Sequence, residues 1–219
     1  AAALDAALEA WGADVSDTER AAIAARLGSD VPFFLTGGLA LVEGRGEQVT
    51  PLPDLRGGSP AILVVTPGFG VSTADVFAAF AAGARSGDQP AVLRTSLHFA
   101  DELAAGALGV PTLVDRAGVI ATANDLVAAT ALVAPAVPRL RRALARLLGR
   151  RVGQSGSGPT VWALYPSLVE GRAAAALVDE AFLDGRLEAG HGRPFVALAE
   201  LLPRSMPGRP ETENEERRG

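Results

Sequence analysis

The spacing of apolar residues changes from helical to alternating and back along this chain. From Ala1 to Trp11, Leu4, Leu8 and Trp11 recur at i, i+4 and i+7, the spacing of one helix face. The stretch "GADVSDTE" breaks that face. Ser16 with Glu19 three residues on has the form of a capping box, which predicts a second helix from Asp17 with Ala22, Ile23 and Leu27 inward and Gly28 as its stop. Pro32 biases Val31 away from helix. After the Gly37-Gly38 turn the period falls to two, and "LALVEGRGEQVTPL" predicts two strands around Gly44-Arg45-Gly46. "PDLRGGSP", Pro53 to Pro60, has the composition of a linker and marks a domain boundary.

Beyond the linker the rhythm differs. "AILVVT" (Ala61 to Thr66) predicts a short buried strand, and a helix follows Thr73. A poorly patterned stretch runs to about Gln89, then helical spacing occupies Leu97 to Leu108 and Ala123 to Leu132. In "PRLRRALARLLG", Pro138 suits a first turn, Leu140, Ala143, Leu144, Leu147 and Leu148 share one face, and Gly149 ends the helix. "TVWALY" predicts a strand, Leu168 to Phe182 a helix, and "PFVALAEL" a last strand. With the extra helices set aside, the order is strand, helix, strand, strand, helix, strand, the split βαβ or ferredoxin-like arrangement. The expected architecture is therefore α+β, with one domain over 1–58, a ferredoxin-like domain over 59–206, and a charged, Pro-rich tail from Pro207 to Gly219 expected to be disordered.

Composition narrows the function. A chain of 219 residues, 48% hydrophobic, has enough apolar material for one large domain or two small ones. The net charge of -5 and the lack of a basic tract exclude nucleic acid as the expected partner. The absence of cysteine removes disulfides and thiolate metal sites. The two histidines, His98 and His191, are too distant in sequence for a metal motif and are expected on the surface or in loops. No apolar run approaches the roughly 18 residues that span a bilayer, and no basic stretch leads into an apolar one, so no signal peptide is expected in these residues. A cytoplasmic protein acting on a small molecule, without a membrane partner, is the expectation; the pattern fixes no oligomeric state. The chain opens Ala1-Ala2-Ala3-Leu4, already helical in pattern and without an initiator methionine, which places the expected start upstream.

Four features could carry chemistry. Asp30 stands between Gly28 and Pro32. A carboxylate at such a corner could orient a hydroxyl nucleophile and accept its proton, or could simply cap its own turn. "GQSGSGPT" (Gly153 to Thr160) is a glycine-rich connection between two strands. It is neither a Walker A sequence nor a dinucleotide fingerprint, yet it would let backbone approach a phosphate or a second loop closely. In "PGFGVST" (Pro67 to Thr73), Thr73 could cap the following helix or touch a ligand. Asn124-Asp125 has the form of a helix start, and Arg139, Arg141, Arg142 and Arg146 are expected to be the solvated face of their helix.

Taken together, "LGSDVPFFLTGGLALVEGRGEQVTPLP", "PGFGVST", "NDL" and "SGSGPTVWALY" resemble the GHMP kinase superfamily. The most specific stretch, "GSDVPFF" followed by "GRGE", is similar to the branch that phosphorylates the 2-hydroxyl of 4-diphosphocytidyl-2-C-methyl-D-erythritol in the non-mevalonate isoprenoid pathway. The resemblance runs from Ala1 to about Leu201. It implies ATP as phosphoryl donor with Mg²⁺, Asp30 as the counterpart of the catalytic base, and Thr73 as a substrate contact. It implies Gly156, Ser157 and Gly158 as a motif supporting the nucleotide loop. It also implies a partial domain of the ribosomal-protein-S5 type ahead of the ferredoxin-like one. No metal ligand can be assigned. The family's first-strand lysine and asparagine, and its Pro-x-x-x-Gly-Leu-Gly-Gly-Gly-Ser-Ser phosphate loop, do not occur in this sequence. The expectation is that roughly the first third of a typical family chain lies upstream, and that the 219 residues alone are inactive. The alternatives are another kinase of the superfamily, of homoserine or mevalonate type, and a non-catalytic ferredoxin-like binding module.

Overall fold

The computed structural model describes residues 1–83, 89–188 and 190–203. The end of the poorly patterned stretch before Gln89 and the tail from Pro207 lie outside the described residues. The described residues form two compact units, one of 1–54 with 202–203 and the other of 55–201.

The first unit contains helices α1 (Ala2–Trp11), α2 (Asp17–Leu27) and α3 (Val31–Thr36), then the antiparallel strands β1 (Ala40–Glu43) and β2 (Gln48–Pro51). The capping box is formed as the sequence predicts, with Ser16 Oγ accepting from Glu19 N and the Glu19 carboxylate accepting from Ser16 N at 2.9 Å. These bonds hold the Glu19 carboxyl below the usual carboxylate range. An Arg20–Asp5 ion pair at 2.5 Å ties α2 to α1. Two local expectations fail. Val31 is not kept out of helix by Pro32; it opens α3, because a proline in the first turn removes no N–H that an intrahelical bond needs. Gly28 does end α2, but at φ 169°, an extended conformation open to any residue rather than a left-handed stop. Apolar burial in this unit is sparse: Trp11 is 79% exposed and Phe34 66%, while Ala24 and Leu52 are the buried hydrophobic side chains.

The second unit is built on a four-stranded antiparallel sheet with order β4-β5-β3-β6, formed by β3 (Ala61–Gly68), β4 (Gly153–Gln154), β5 (Val161–Tyr165) and β6 (Gly192–Glu200). Along β3 the buried positions alternate, so its two faces serve two clusters. Ala61, Leu63 and Val65 join Val161 and Ala163 against α9 (Ala136–Leu148) and α10 (Leu168–Leu183), where Val137, Leu140, Leu144 and Val178 complete the larger core. Ile62, Trp162 and Leu164 on the other face meet α5 (Gln89–Ala104), α6 (Val110–Asp115) and α7 (Ala117–Thr122) through Phe99, Leu113, Val114 and Ala117. Helices α4 (Thr73–Ala81) and α8 (Val127–Val133) pack against each other.

Strand–helix–strand–strand–helix–strand order thus appears with α9 and α10 as its two helices, and Gly149 ends α9 in the left-handed region at φ 60°. α5 begins at Gln89 and ends at Ala104, earlier than the helical spacing suggested, so Leu108 is buried beyond it in the second cluster. The Pro53–Pro60 stretch is not a free linker throughout. Arg56 pairs as an isolated bridge with Gly109, its carbonyl accepts from Val110 N at 2.9 Å, and its Nε donates to Gly106 O at 2.8 Å. At the end of β3 the register shifts between Thr66 and Gly68; a Cβ on Gly68 would lie 2.0 Å from the Gly192 carbonyl oxygen. That close approach fixes where "PGFGVST" leaves the sheet.

Candidate functional site

In the second unit the Ser155–Thr160 loop closes on itself. Ser155 N donates to Thr160 O and Gly158 N donates to Ser155 O, both at 2.9 Å, and the Thr160 and Thr66 hydroxyls meet at 2.9 Å. Its carbonyls are held from beneath by three side chains. Asn124 Nδ2 donates to Gly156 O at 2.9 Å and to Gln154 O at 3.0 Å. Gln154 Nε2 donates to Gly156 O at 3.0 Å and to the Thr130 hydroxyl at 2.8 Å. The Thr130 hydroxyl in turn reaches Ser157 O at 3.1 Å and Leu126 O at 2.9 Å. Thr130 and Gln154 are the buried polar residues among those described.

The consequence is directional. The carbonyls of Gly156 and Ser157 are occupied, while the N–H groups of the same two residues have no protein acceptor among the described residues. Gly156 at φ 51° and Gly158 at φ 80° hold the loop in left-handed geometry. Two successive N–H groups without a protein acceptor leave backbone donors available to an anion at this loop.

Thr73 belongs to the same place. Its hydroxyl lies 3.0 Å from Ser157 Oγ. The helix cap is not Thr73 but Ser72, whose Oγ accepts from Asp75 N at 3.2 Å. Thr73 is therefore the first helical residue, and its hydroxyl is directed to the loop. The structure brings together Thr73, Gly156, Ser157 and Gly158, as the sequence singled them out. Asn124 does start a turn, accepting from Leu126 N at 2.9 Å, but its amide also holds the loop.

Asp30 belongs to the first unit. It is exposed, occupies the N-cap position of α3, and makes no side-chain cap bond; Ser29 Oγ reaches its Oδ1 at 3.4 Å. The corner is braced from the hairpin: a Cβ on Gly46, at φ 113°, would lie 2.2 Å from the Ser29 carbonyl oxygen. Glycine at 46 is thus what allows the tip of "GRGE" to seat against the residue preceding Asp30. Glu47 closes that tip by accepting from Arg45 N at 2.7 Å, and its own N–H and that of Arg45 hold its carboxyl below the usual carboxylate range. This contribution is full above the ordinary glutamate pKa and is lost as the pH falls through the lowered one.

No family model matches the chain. It is 40% identical over 199 residues to a 4-diphosphocytidyl-2-C-methyl-D-erythritol kinase of Nocardioides sp., covering 91% of this chain and 60% of the relative. The chain is homologous to these kinases. A kinase of the same name from Pelotomaculum thermopropionicum is 35% identical over 181 residues, covering 80% of this chain and 56% of the relative. The solved structure of a 4-(cytidine 5'-diphospho)-2C-methyl-D-erythritol kinase superposes with a TM-score of 0.53 at 28% identity, covering 88% of this chain and 60% of that one. These relatives bear out the GHMP kinase resemblance and a mixed helix and sheet fold. The chain spans little more than half the length of these relatives. Among the described residues, no single helix is long and apolar enough to cross a membrane.

Proposed function

We propose that this chain is the greater part of a kinase that transfers the γ-phosphoryl group of ATP to the 2-hydroxyl of 4-diphosphocytidyl-2-C-methyl-D-erythritol. The observation that carries the reading is the Thr73–Ser157 contact. It joins the two motifs "PGFGVST" and "SGSGPT" at a point where two backbone N–H groups are free, in a chain whose relatives carry that kinase name.

In this reading Thr73 contacts substrate, and Gly156, Ser157 and Gly158 support the loop that holds the nucleotide. Asp30 accepts the proton of the substrate hydroxyl as its oxygen forms the new bond to phosphorus and the bond to the ADP oxygen breaks. Residues 1–58 form part of an S5-like domain and 59–206 the ferredoxin-like domain, and a cytoplasmic setting belongs to the same proposal. ATP use follows from the kinase relatives. Among the described residues no group of three or more His, Asp or Glu side chains could hold a metal; Mg²⁺ in such kinases is usually held by one or two carboxylates together with the nucleotide phosphates, and no carboxylate here is assigned to it. The sequence contains no lysine and no Gly-Leu-Gly-Gly-Gly-Ser-Ser loop. The groups that cradle the ATP phosphates are accordingly assigned to residues outside these 219, and the complete protein is the chain extended to the length of its relatives.

Thr73→Val in the complete protein tests the assignment. Because Ser72 supplies the cap, the melting temperature is expected to stay within the small change of a surface substitution, about 0.5 kcal/mol. Loss of one hydrogen bond to substrate, about 0.5–1.5 kcal/mol, lowers kcat/KM for the diphosphocytidyl substrate about two- to tenfold and leaves the KM for ATP in place. Unchanged kinetics in a folded variant would remove Thr73 from the substrate site.

A further inference from the structure

Outside the loop site, the second unit carries a cleft of about 700 Å³ between α7 and the C-terminal half of α9, into which five arginines project: Arg141, Arg142, Arg146, Arg150 and Arg151. No carboxylate lines it. Its remaining wall is made of small residues, mostly apolar, with one hydroxyl: Ala121, Thr122, Ala145 and Val152 with Gly118 and Gly149. The charge runs against that of the chain, which is -5.

Ordinary structural causes explain only part of this. A helix C-terminus attracts cations, which covers Arg146 in the last turn of α9 and Arg150 and Arg151 just beyond Gly149. Arg150 is also engaged otherwise, 3.7 Å from Glu170 and with its guanidinium 4.6 Å above the Tyr165 ring. Arg141 has no such account. It lies in the middle of α9, is half-buried, and makes no ion pair among the described residues. Burial, and then the neighbouring Arg142, lower its proton affinity from the ordinary arginine value. Arg151 lies across α7, its Cγ 3.6 Å and its Nε 3.7 Å from where a Cβ on Gly118 would stand, ordinary van der Waals separations. The expectation of a solvated arginine face thus fails at Arg141.

We propose that this cleft is an anion site that takes a compact oligophosphate, a diphosphate or triphosphate group, inorganic or carried by a nucleotide. Arg141, Arg142, Arg146 and Arg151 are its ligands. Guanidinium groups present paired N–H donors that match phosphate oxygens two at a time. The concave wall gathers their fields on one side, with Arg141 half-buried and Arg142, Arg146 and Arg151 exposed at the rim, and the volume is that of a small-molecule site rather than a nucleic-acid groove. An anion seated there would also offset the mutual repulsion of four clustered cations that no carboxylate offsets in the cleft. The inference is independent of the kinase reading, because it involves neither Asp30 nor the Ser155–Thr160 loop.

The test is isothermal titration calorimetry on the 219-residue chain at constant ionic strength, with orthophosphate, diphosphate, triphosphate, ATP and a single-stranded oligonucleotide as separate titrants and no phosphoryl acceptor present. Single-site, saturable binding of diphosphate and triphosphate is expected, with orthophosphate weaker by about tenfold because it engages fewer guanidinium forks. ATP tighter than triphosphate identifies a nucleotide as the source, and equal affinity identifies the phosphate chain alone. The Arg141→Gln/Arg151→Gln pair should weaken triphosphate by about tenfold or more. Ala145→Glu, which adds a carboxylate to the wall, should weaken it by a similar factor and guards against misfolding of the first variant. No saturable heat, binding unchanged in both variants, or an oligonucleotide that binds more tightly than triphosphate would each overturn the proposal.

Discussion

Asp30→Asn in the complete protein is expected to lower kcat for phosphorylation of the diphosphocytidyl substrate by about 10²–10⁴-fold, the range of a lost general base, with the melting temperature unchanged. The structural side of this expectation rests on what Asp30 lacks. Its carboxylate makes no cap bond to α3, it is exposed, and Ser29 Oγ at 3.4 Å is its recorded partner. A turn-capping aspartate would show the reverse, a loss of stability with kcat intact. Asparagine keeps the size and removes only the basic oxygen. The corner itself stays in place because Gly46 seats the hairpin tip on Ser29 and Pro32 is buried in the first turn of α3. Kinetics and thermal melts on one variant therefore separate the two roles.

Thr130→Val should be costly in a different way. Its hydroxyl receives a hydrogen bond from Gln154 Nε2 and shares its one proton between Leu126 O at 2.9 Å and Ser157 O at 3.1 Å; Thr130 and Gln154 are buried, while Ser157 is half-buried in the loop above them. Valine has nearly the same shape and neither bond, so it leaves the Gln154 amide with one partner fewer in a buried place. The expected loss is about 1–3 kcal/mol, the range for an unsatisfied buried group, read as a lower urea midpoint at an unchanged m-value. The same variant removes one of the loop's anchors, the bond to the carbonyl of Ser157, while Asn124 and Gln154 still hold Gly156 O, so a moderate fall in kcat/KM is expected in the complete protein. Thr130→Ser, which keeps the hydroxyl, should recover most of both. A Thr130→Val protein that loses stability but retains full kcat/KM would show the network to be structural only.

What the sequence revealed follows from how local each signal is. α2 was legible from Ser16 and Glu19, α9 from its leucine stripe and Gly149, and the β1–β2 hairpin from Gly44-Arg45-Gly46, because each carries its stop and start within a few residues. α6 and α7 were missed. Each has six residues, less than two turns, too short for a 3.6-residue period to declare itself. α3 was hidden by Pro32, whose effect on the preceding residue is only a bias and yields where the chain needs a first turn. Thr73, Gly156, Ser157 and Gly158 were legible as motifs, but the side chains that hold them were not. Thr130 is a lone hydroxyl within "VAATALV" and Gln154 a lone amide before a glycine. Only their juxtaposition across 24 residues gives them a role. Arg141 and Arg142 are adjacent in sequence, yet the fold leaves Arg141 half-buried and Arg142 exposed, a difference no local pattern shows.

The central claim is that these residues serve phosphoryl transfer to 4-diphosphocytidyl-2-C-methyl-D-erythritol, with the phosphate-holding groups lying outside the 219. One experiment addresses it directly: ³¹P NMR of reactions containing ATP, Mg²⁺ and that substrate, run in parallel with the 219-residue chain and with the complete protein, with homoserine and mevalonate as competing acceptors. The complete protein should convert the substrate hydroxyl to a phosphomonoester in step with ADP formation, ignore the two competitors, and the 219-residue chain should give no product. Product from the 219-residue chain alone, or a complete protein that phosphorylates homoserine or mevalonate in preference, would contradict the account.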